Sequence, residues 1–292
     1  MTGHGSAGRT APEANISALL PEALPAVFPG GFPTPFQVSF PLLFPRSHPS
    51  RRLPAVSTTT GRFAPGQTLI FDADDTLWEN NAYFERAIGD FLDWLAHPTL
   101  DRSSLRGIID DVERAAAAGE NGYGSAAFLR NLHEVFRRLH QRGLTDTEQA
   151  DVERMAGAVL EHRAELYAGV ADTLAELGTR HDLKLMTKGV TAEQQAKIDA
   201  SGLAPSFSSI HIVPEKHPQA YRDVISAQAL DVSSSWMIGN SPKSDILPAR
   251  AAGLRAVFLP NAGTWVLEHA ELDDADDGVL TLGGFAELAR LF

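Results

Sequence analysis

The sequence predicts a doubly wound α/β fold, a mainly parallel sheet interrupted once by an all-helical insertion. Three observations carry this prediction. Six short apolar runs, "TLIFD", "LKLMT", "SIHIV", "WMIG", "RAVFLP" and "VLTL", follow one another from residue 66 onward. Most are separated by stretches of helical period, the alternation that lays crossover helices on parallel strands. Between the first and second runs the period is helical throughout and too long for one crossover connection, so residues 79–181 read as an inserted domain.

Residues 1–65 stand apart from this pattern. They hold 11 of the 18 prolines, and all their Lys and Arg residues are Arg. The segment "FPGGFPTPFQVSFPLLFPRSHPSRR" has no sustained period. Proline interrupts helices and removes backbone donors, so the expectation is a largely disordered extension. A targeting segment is a rival reading, opposed by the prolines in its apolar part and by the lack of a preceding basic cluster. An annotated start placed too far upstream is a third.

The sheet-forming part is expected to comprise residues 66–78 and 182–292. Within the insertion, Phe84, Ile88, Phe91, Leu92 and Leu95 share one helical face. Leu105, Ile108, Ile109 and Val112 form a second such face, and Phe128, Leu129, Leu132, Val135, Phe136 and Leu139 a third. A fourth helix is expected at Thr145, where Glu148 completes a capping box.

The totals narrow the function. Net charge is −12 and the isoelectric point near 5.2, which argues against a nucleic-acid backbone as partner. A hydrophobic content of 43%, a mean hydropathy of −0.13 and no run of about 18 apolar residues argue against a membrane span. There are 0 cysteines, which excludes disulfides and thiolate chemistry and favours a cytoplasmic setting. Oligomeric state is left open.

In an open α/β sheet, ligands gather beyond the carboxyl ends of the strands. Here the first run ends in Asp72, with Asp74 two residues on, and the second ends in Thr187 followed by Lys188. Lys216 stands a few residues beyond the third run, and "GNSPKSD" after the fourth supplies Asn240 and Asp245. Each residue alone has an ordinary explanation as a turn or cap. The ordered set calls for a site.

Asp72-Ala73-Asp74-Asp75-Thr76 resembles the DxDxT signature of the haloacid dehalogenase-like hydrolase superfamily. Thr187, Lys216 and "GNSPKSDI" are similar to its second, third and fourth motifs, and the insertion is similar to its helical cap. The resemblance implies a Rossmann-like core and a Mg2+-dependent phosphatase acting on a small phosphorylated metabolite. It makes Asp72 the nucleophile, Asp74 the general acid and base, Thr187 a phosphoryl hydrogen-bond donor and Lys216 the charge-balancing cation. It assigns the Mg2+ ligands to Asp72, the Asp74 backbone carbonyl, Asn240 and Asp245. The family's dehalogenase branch lacks an acid at the Asp74 position, so its presence favours an oxygen leaving group. Asn240 departs from the Asp of many members and removes one negative charge. Rival readings are a phosphomutase on the same fold and a regulatory member without turnover.

Lesser candidates follow. Thr76, Lys188 and Tyr123 are expected near substrate, Tyr123 because "GENGYGSAAF" has the composition of a mobile cap loop. Asp75 is expected only to shape the turn. His133 and His140 lack a third ligand, and "ELDDADDG" lacks the Glu that a calcium loop needs.

Overall fold

The computed structural model describes residues 62–117, 119 and 122–292. The Pro-rich stretch through residue 61 lies outside the described residues. All six apolar runs are strands: β1 (Thr68–Phe71), β2 (Asp182–Lys188), β3 (Ser209–Val213), β4 (Ser235–Gly239), β5 (Arg255–Phe258) and β6 (Val279–Thr281). They form one sheet in the order β3-β2-β1-β4-β5-β6, with every pairing parallel. The expected fold class is therefore found. β1 lies inside the sheet, its Phe71 opposite Leu185 of β2 and Ile238 of β4.

Successive strand side chains point to opposite faces, and this alternation builds two apolar layers. Leu69, Phe71, Leu185 and Ile238 pack on one side, while Ile70, Met186 and Met237 pack on the other. Both faces are covered, which is why the strands read as nearly continuous apolar runs.

The insertion contains α1 (Asn81–Leu95), α2 (Arg102–Ala117), α3 (Ser125–His140), α4 (Asp146–Met155) and the short α5 (Gly157–Leu160). Their apolar faces close on one another around Phe91, Ile109, Leu132 and Phe136. Burial of each such side chain contributes about 1.5–3 kcal/mol. The expected capping box is present: Thr145 accepts from the Glu148 N–H, and Glu148 accepts from the Thr145 N–H.

The apolar contacts do not change at the expected boundary of 181. α6 (Val170–Leu177) buries Val170, Leu174 and Leu177 against the sheet rather than against the insertion. Its helical period matched that of the preceding helices, and period alone does not say which surface a helix covers. The cap ends before the linker. There the outgoing and returning chains pair, with Glu79 N–H donating to the Glu165 carbonyl at 2.9 Å and Tyr167 N–H to that of Leu77 at 3.0 Å.

Leu77 and Trp78, the apolar pair after the aspartates, turn back into the sheet's core and anchor this linker. Three further helices matter for the site: α7 (Thr191–Ser201), α8 (Pro218–Ala227) and α9 (Leu247–Ala251). No helix among the described residues is long and apolar enough to cross a membrane.

Candidate active site

The carboxyl ends of β1, β2 and β4 and the loop after β3 converge on one buried group of charges. Asp72 follows β1 directly, and its N–H still donates to the Ile238 carbonyl of β4 at 2.9 Å, so its backbone is fixed by the sheet. Lys216 reaches it from the loop between β3 and α8. The Lys216 Nζ donates to Asp72 Oδ1 at 2.5 Å and to Asp245 Oδ1 at 2.7 Å. Among Lys188, Lys216 and Lys243, the residue expected to neutralise Asp72 is thus the one that touches it; Lys243 instead donates to the Leu267 carbonyl.

Asp245 sits in a widened helical turn, Pro242–Ile246, and its Oδ2 accepts the Ser241 N–H at 2.9 Å. Gly239 is required behind it, because a Cβ at that position would collide with the Asp245 carboxylate. Asn240 is fixed on both ends. Its Nδ2 donates to Thr264 Oγ1 at 2.8 Å, and its N–H donates to Thr76 Oγ1 at 3.1 Å. The single Thr76 hydroxyl proton serves Asp72 Oδ2 at 2.9 Å or Asn240 Oδ1 at 3.1 Å.

These charges do not balance. Burial works to lower the Lys216 pKa, but Asp245 and Asp72 together hold it above the ordinary lysine value, so the ammonium stays charged. Burial, and then repulsion from Asp72, push Asp245 up to about 7 against the pull of Lys216. One ammonium between two carboxylates leaves a surplus negative charge, which a cation would relieve.

The donor chemistry fits Mg2+. Asp72, Asp245, the Asn240 amide oxygen and the Asp74 carbonyl are all hard oxygen donors. Asp72 Oδ2 and Asn240 Oδ1 already converge on one hydroxyl. Among the described residues no group of three acidic, His or Cys side chains could hold a metal, so a cation here would depend on the neutral oxygens as well.

Asp74 is turned to a different set of partners. Its Oδ2 accepts from Lys197 Nζ at 2.8 Å and Gln194 Nε2 at 3.0 Å, both on α7, and its Oδ1 accepts from Trp78 Nε1 at 2.8 Å. Burial favours the neutral acid, but Lys197 and these hydrogen bonds together hold its pKa below the usual carboxylate value. Asp75 does more than shape the turn. It adopts a left-handed backbone with φ 62°, and its carboxylate accepts the N–H groups of Asn80 and Asn81, fixing the start of α1.

Thr187, the penultimate residue of β2, lines the cavity and is 1% exposed. Lys188 and Tyr123 also line the cavity, with the Lys188 ammonium 4.9 Å from the centre of the Tyr123 ring. Lys188 is heavily engaged, donating to Glu268 at 2.6 Å, Ser244 at 3.0 Å and Glu215 at 3.2 Å. Thr76 does not line the cavity; its hydroxyl is spent on Asp72 and Asn240, which corrects its expected place beside substrate.

Several residues that hold the site together belong to no motif. Glu268 accepts from Lys188, Ser241 and Ser244, and so ties the β2 end to the Asp245 turn. On α7, Glu193 accepts from the N–H and hydroxyl of Ser125, at the start of α3 in the cap. Gly124, with φ 89°, leaves room for this contact, since a Cβ there would press on the Glu193 carboxylate. The only signal for α7 was its polar cluster "EQQAK", which at helical spacing resembles a solvated face.

A family model described as haloacid dehalogenase-like hydrolase matches residues 67–253, and the chain belongs to this family. A phosphoserine phosphatase from Thermus thermophilus is 33% identical over 103 residues, a segment that is 33% of this chain and 41% of that relative. The match thus spans less than half of the relative's length. A haloacid dehalogenase-like family hydrolase from Xanthomonas campestris superposes with a TM-score of 0.65 at 25% identity, covering 78% of this chain and 94% of that one. An L-2-haloacid dehalogenase from Xanthobacter autotrophicus shares the fold, with a TM-score of 0.52 at 18% identity over 77% of this chain and 98% of that one.

Proposed function

We propose that the chain is a Mg2+-dependent phosphatase that hydrolyses a small phosphomonoester, with Asp72 as the nucleophile. The observation that carries this reading is the buried Asp72–Lys216–Asp245 bridge lining a cavity between sheet and cap. That cavity encloses about 180 Å3, below the roughly 300–1,000 Å3 usual for drug-sized ligands, so the substrate is small.

Asp72 attacks phosphorus, forming a new O–P bond as the ester P–O bond breaks, and the departing alkoxide takes a proton from Asp74. Water then attacks the aspartyl-phosphate and gives its proton to Asp74, which releases phosphate and restores Asp72. For the first proton transfer, the Asp74 carboxyl must leave Lys197, which holds it ionised, take up a proton from solvent and turn to the leaving oxygen. A side-chain rotation would do the turning and leave its backbone carbonyl in place. Thr187 donates to a phosphoryl oxygen, and Lys216 offsets charge on the phosphoryl group and Asp72. Oxygens of Asp72, Asp74, Asn240 and Asp245 would hold Mg2+, which when bound would supply further neutralisation of phosphoryl charge.

The same nucleophile could attack carbon and expel halide, as the names of the dehalogenase neighbours suggest for those proteins. Halide leaves without a proton, however, and Asp74 would then have no chemical task. The test is a screen of several dozen phosphorylated metabolites with and without Mg2+, run beside 2-haloacids, scoring phosphate and halide separately. Mg2+-dependent phosphate release is expected, and Asp72→Asn should abolish it. Halide release without phosphate release, or vigorous hydrolysis by the Asp72→Asn protein, would falsify the reading.

A further inference from the structure

Glu113 projects from α2 of the cap, is 8% exposed and lines the same cavity as Asp72. The acids already described in that lining each have defined partners: Asp72 and Asp245 share Lys216, Asp74 holds Lys197, and Glu268 holds Lys188. Asp75 accepts backbone N–H groups, and Glu193 accepts from Ser125. Glu85 receives both arms of Arg106. Among the described residues, Glu113 differs from all of these lining acids: it has no ion pair and accepts no backbone N–H, and the donor beside it is the Trp265 indole.

Its surroundings explain why that matters. Burial raises the Glu113 pKa to about 7; Arg106 and the Trp265 indole oppose the shift, while Asp110 and Glu85 add to it. Arg106, one turn away from Asp110, is taken up by Glu85 and Asp110 and so cannot close on Glu113. A carboxyl group left in a buried site is costly unless a partner arrives, and the partner that stabilises it most is a cation with N–H donors.

Aromatic residues line the same cavity. Phe84 and Phe128 meet edge to face at 5.0 Å, and Tyr123 meets Trp265 at 6.1 Å. Their faces suit an alkylammonium group. A phosphate dianion would be repelled by Glu113 and belongs at the Lys216 end, so the acid faces the organic part of the substrate.

We propose that Glu113 selects substrate by receiving a primary ammonium group on the organic part of the phosphate ester. This rests on the phosphatase reading and adds the substrate class, a small phosphorylated amino alcohol or amino acid. The acid acts by binding, not by chemistry, so its removal should appear in KM rather than kcat.

The test compares phosphoethanolamine with propyl phosphate, which replaces the ammonium group by a methyl group of similar size. The parent protein is expected to favour phosphoethanolamine in kcat/KM by about tenfold or more. Glu113→Gln should lose that preference through KM, whereas Glu113→Asp, which keeps the charge, should retain part of it. Thermal shifts with the same two esters read binding without turnover. If neither ester is hydrolysed but phosphoethanolamine alone stabilises the parent, the phosphatase reading fails and the role of Glu113 stands. Equal stabilisation by both esters, or a preference that survives in a folded Glu113→Gln protein, overturns the assignment.

Discussion

Asp72 and Asp245 share one ammonium group, and this arrangement is partly legible in the sequence. The motif residues stood at strand ends, where a parallel sheet gathers its ligands. What the spacing did not reveal was the orientation of Asp74, because two residues of chain do not fix a side-chain rotamer. Glu113 was equally hidden, since a Glu on an amphipathic helix ordinarily faces water. Its burial has a consequence for stability. Its pKa is raised from 4.5 in the open chain to about 7 in the fold. The folded protein therefore binds the extra proton between those values, and stability falls as pH rises through that window. The loss is on the order of 3 kcal/mol and levels off above about pH 7. Melting curves from pH 4 to 8 should show the parent losing stability relative to Glu113→Gln across that range. Parallel curves would contradict the burial argument.

At the scale of the element, α7 joins the sheet to the cap through one face. Glu193, Gln194 and Lys197 lie within two turns and contact Ser125, Asp74 and Asn80. Lys197 is 7% exposed, and its ammonium serves both Asp74 at 2.8 Å and Asn80 Oδ1 at 2.7 Å. Replacing it by Met leaves Asn80 Oδ1 without its donor and the buried Asp74 carboxylate without its cation, and chemical denaturation should report a loss of about 1–3 kcal/mol. A loss below about 0.5 kcal/mol would mean that water replaces the ammonium easily. Periodicity identified the strands and most helices because apolar patterning decides them. It gave no sign of the role of α7, because buried polar side chains satisfied by one another look, in sequence, like a solvated surface. The placement of α6 was missed for a related reason: the pattern shows that a helix has an apolar face and not what covers it.

For the molecule as a whole, cap and sheet meet through a few mostly polar contacts, with the Tyr123–Trp265 ring pair beside them, over a paired two-stranded linker. Such contacts exchange readily with water, so the cap can separate from the sheet without exposing either hydrophobic cluster. The Glu193–Ser125 contact is the clearest tie across this boundary. Glu193→Ala should shift the protein toward a more open shape, seen as a larger radius of gyration by small-angle scattering. KM for a hydrolysed substrate should rise while the melting temperature changes little. An unchanged scattering curve would show that the remaining contacts are enough to hold the cap down.

The position of β1 in the sheet also governs the order in which the chain can fold. Both of its neighbours, β2 and β4, are made later, and β4 ends at Gly239. At ordinary synthesis rates the strand waits on the order of ten seconds for its second partner to emerge. The cap's hydrophobic cluster is built from its own contiguous helices, whose contacts are local and form quickly. On refolding, pulsed hydrogen exchange should protect amides of α1 and α3 before those of β1. Simultaneous protection would mean that the cap cannot stand without the sheet. During synthesis, then, the cap would be assembled while the nucleophile-bearing strand is still unpaired, and the site would be the last part of the molecule to form.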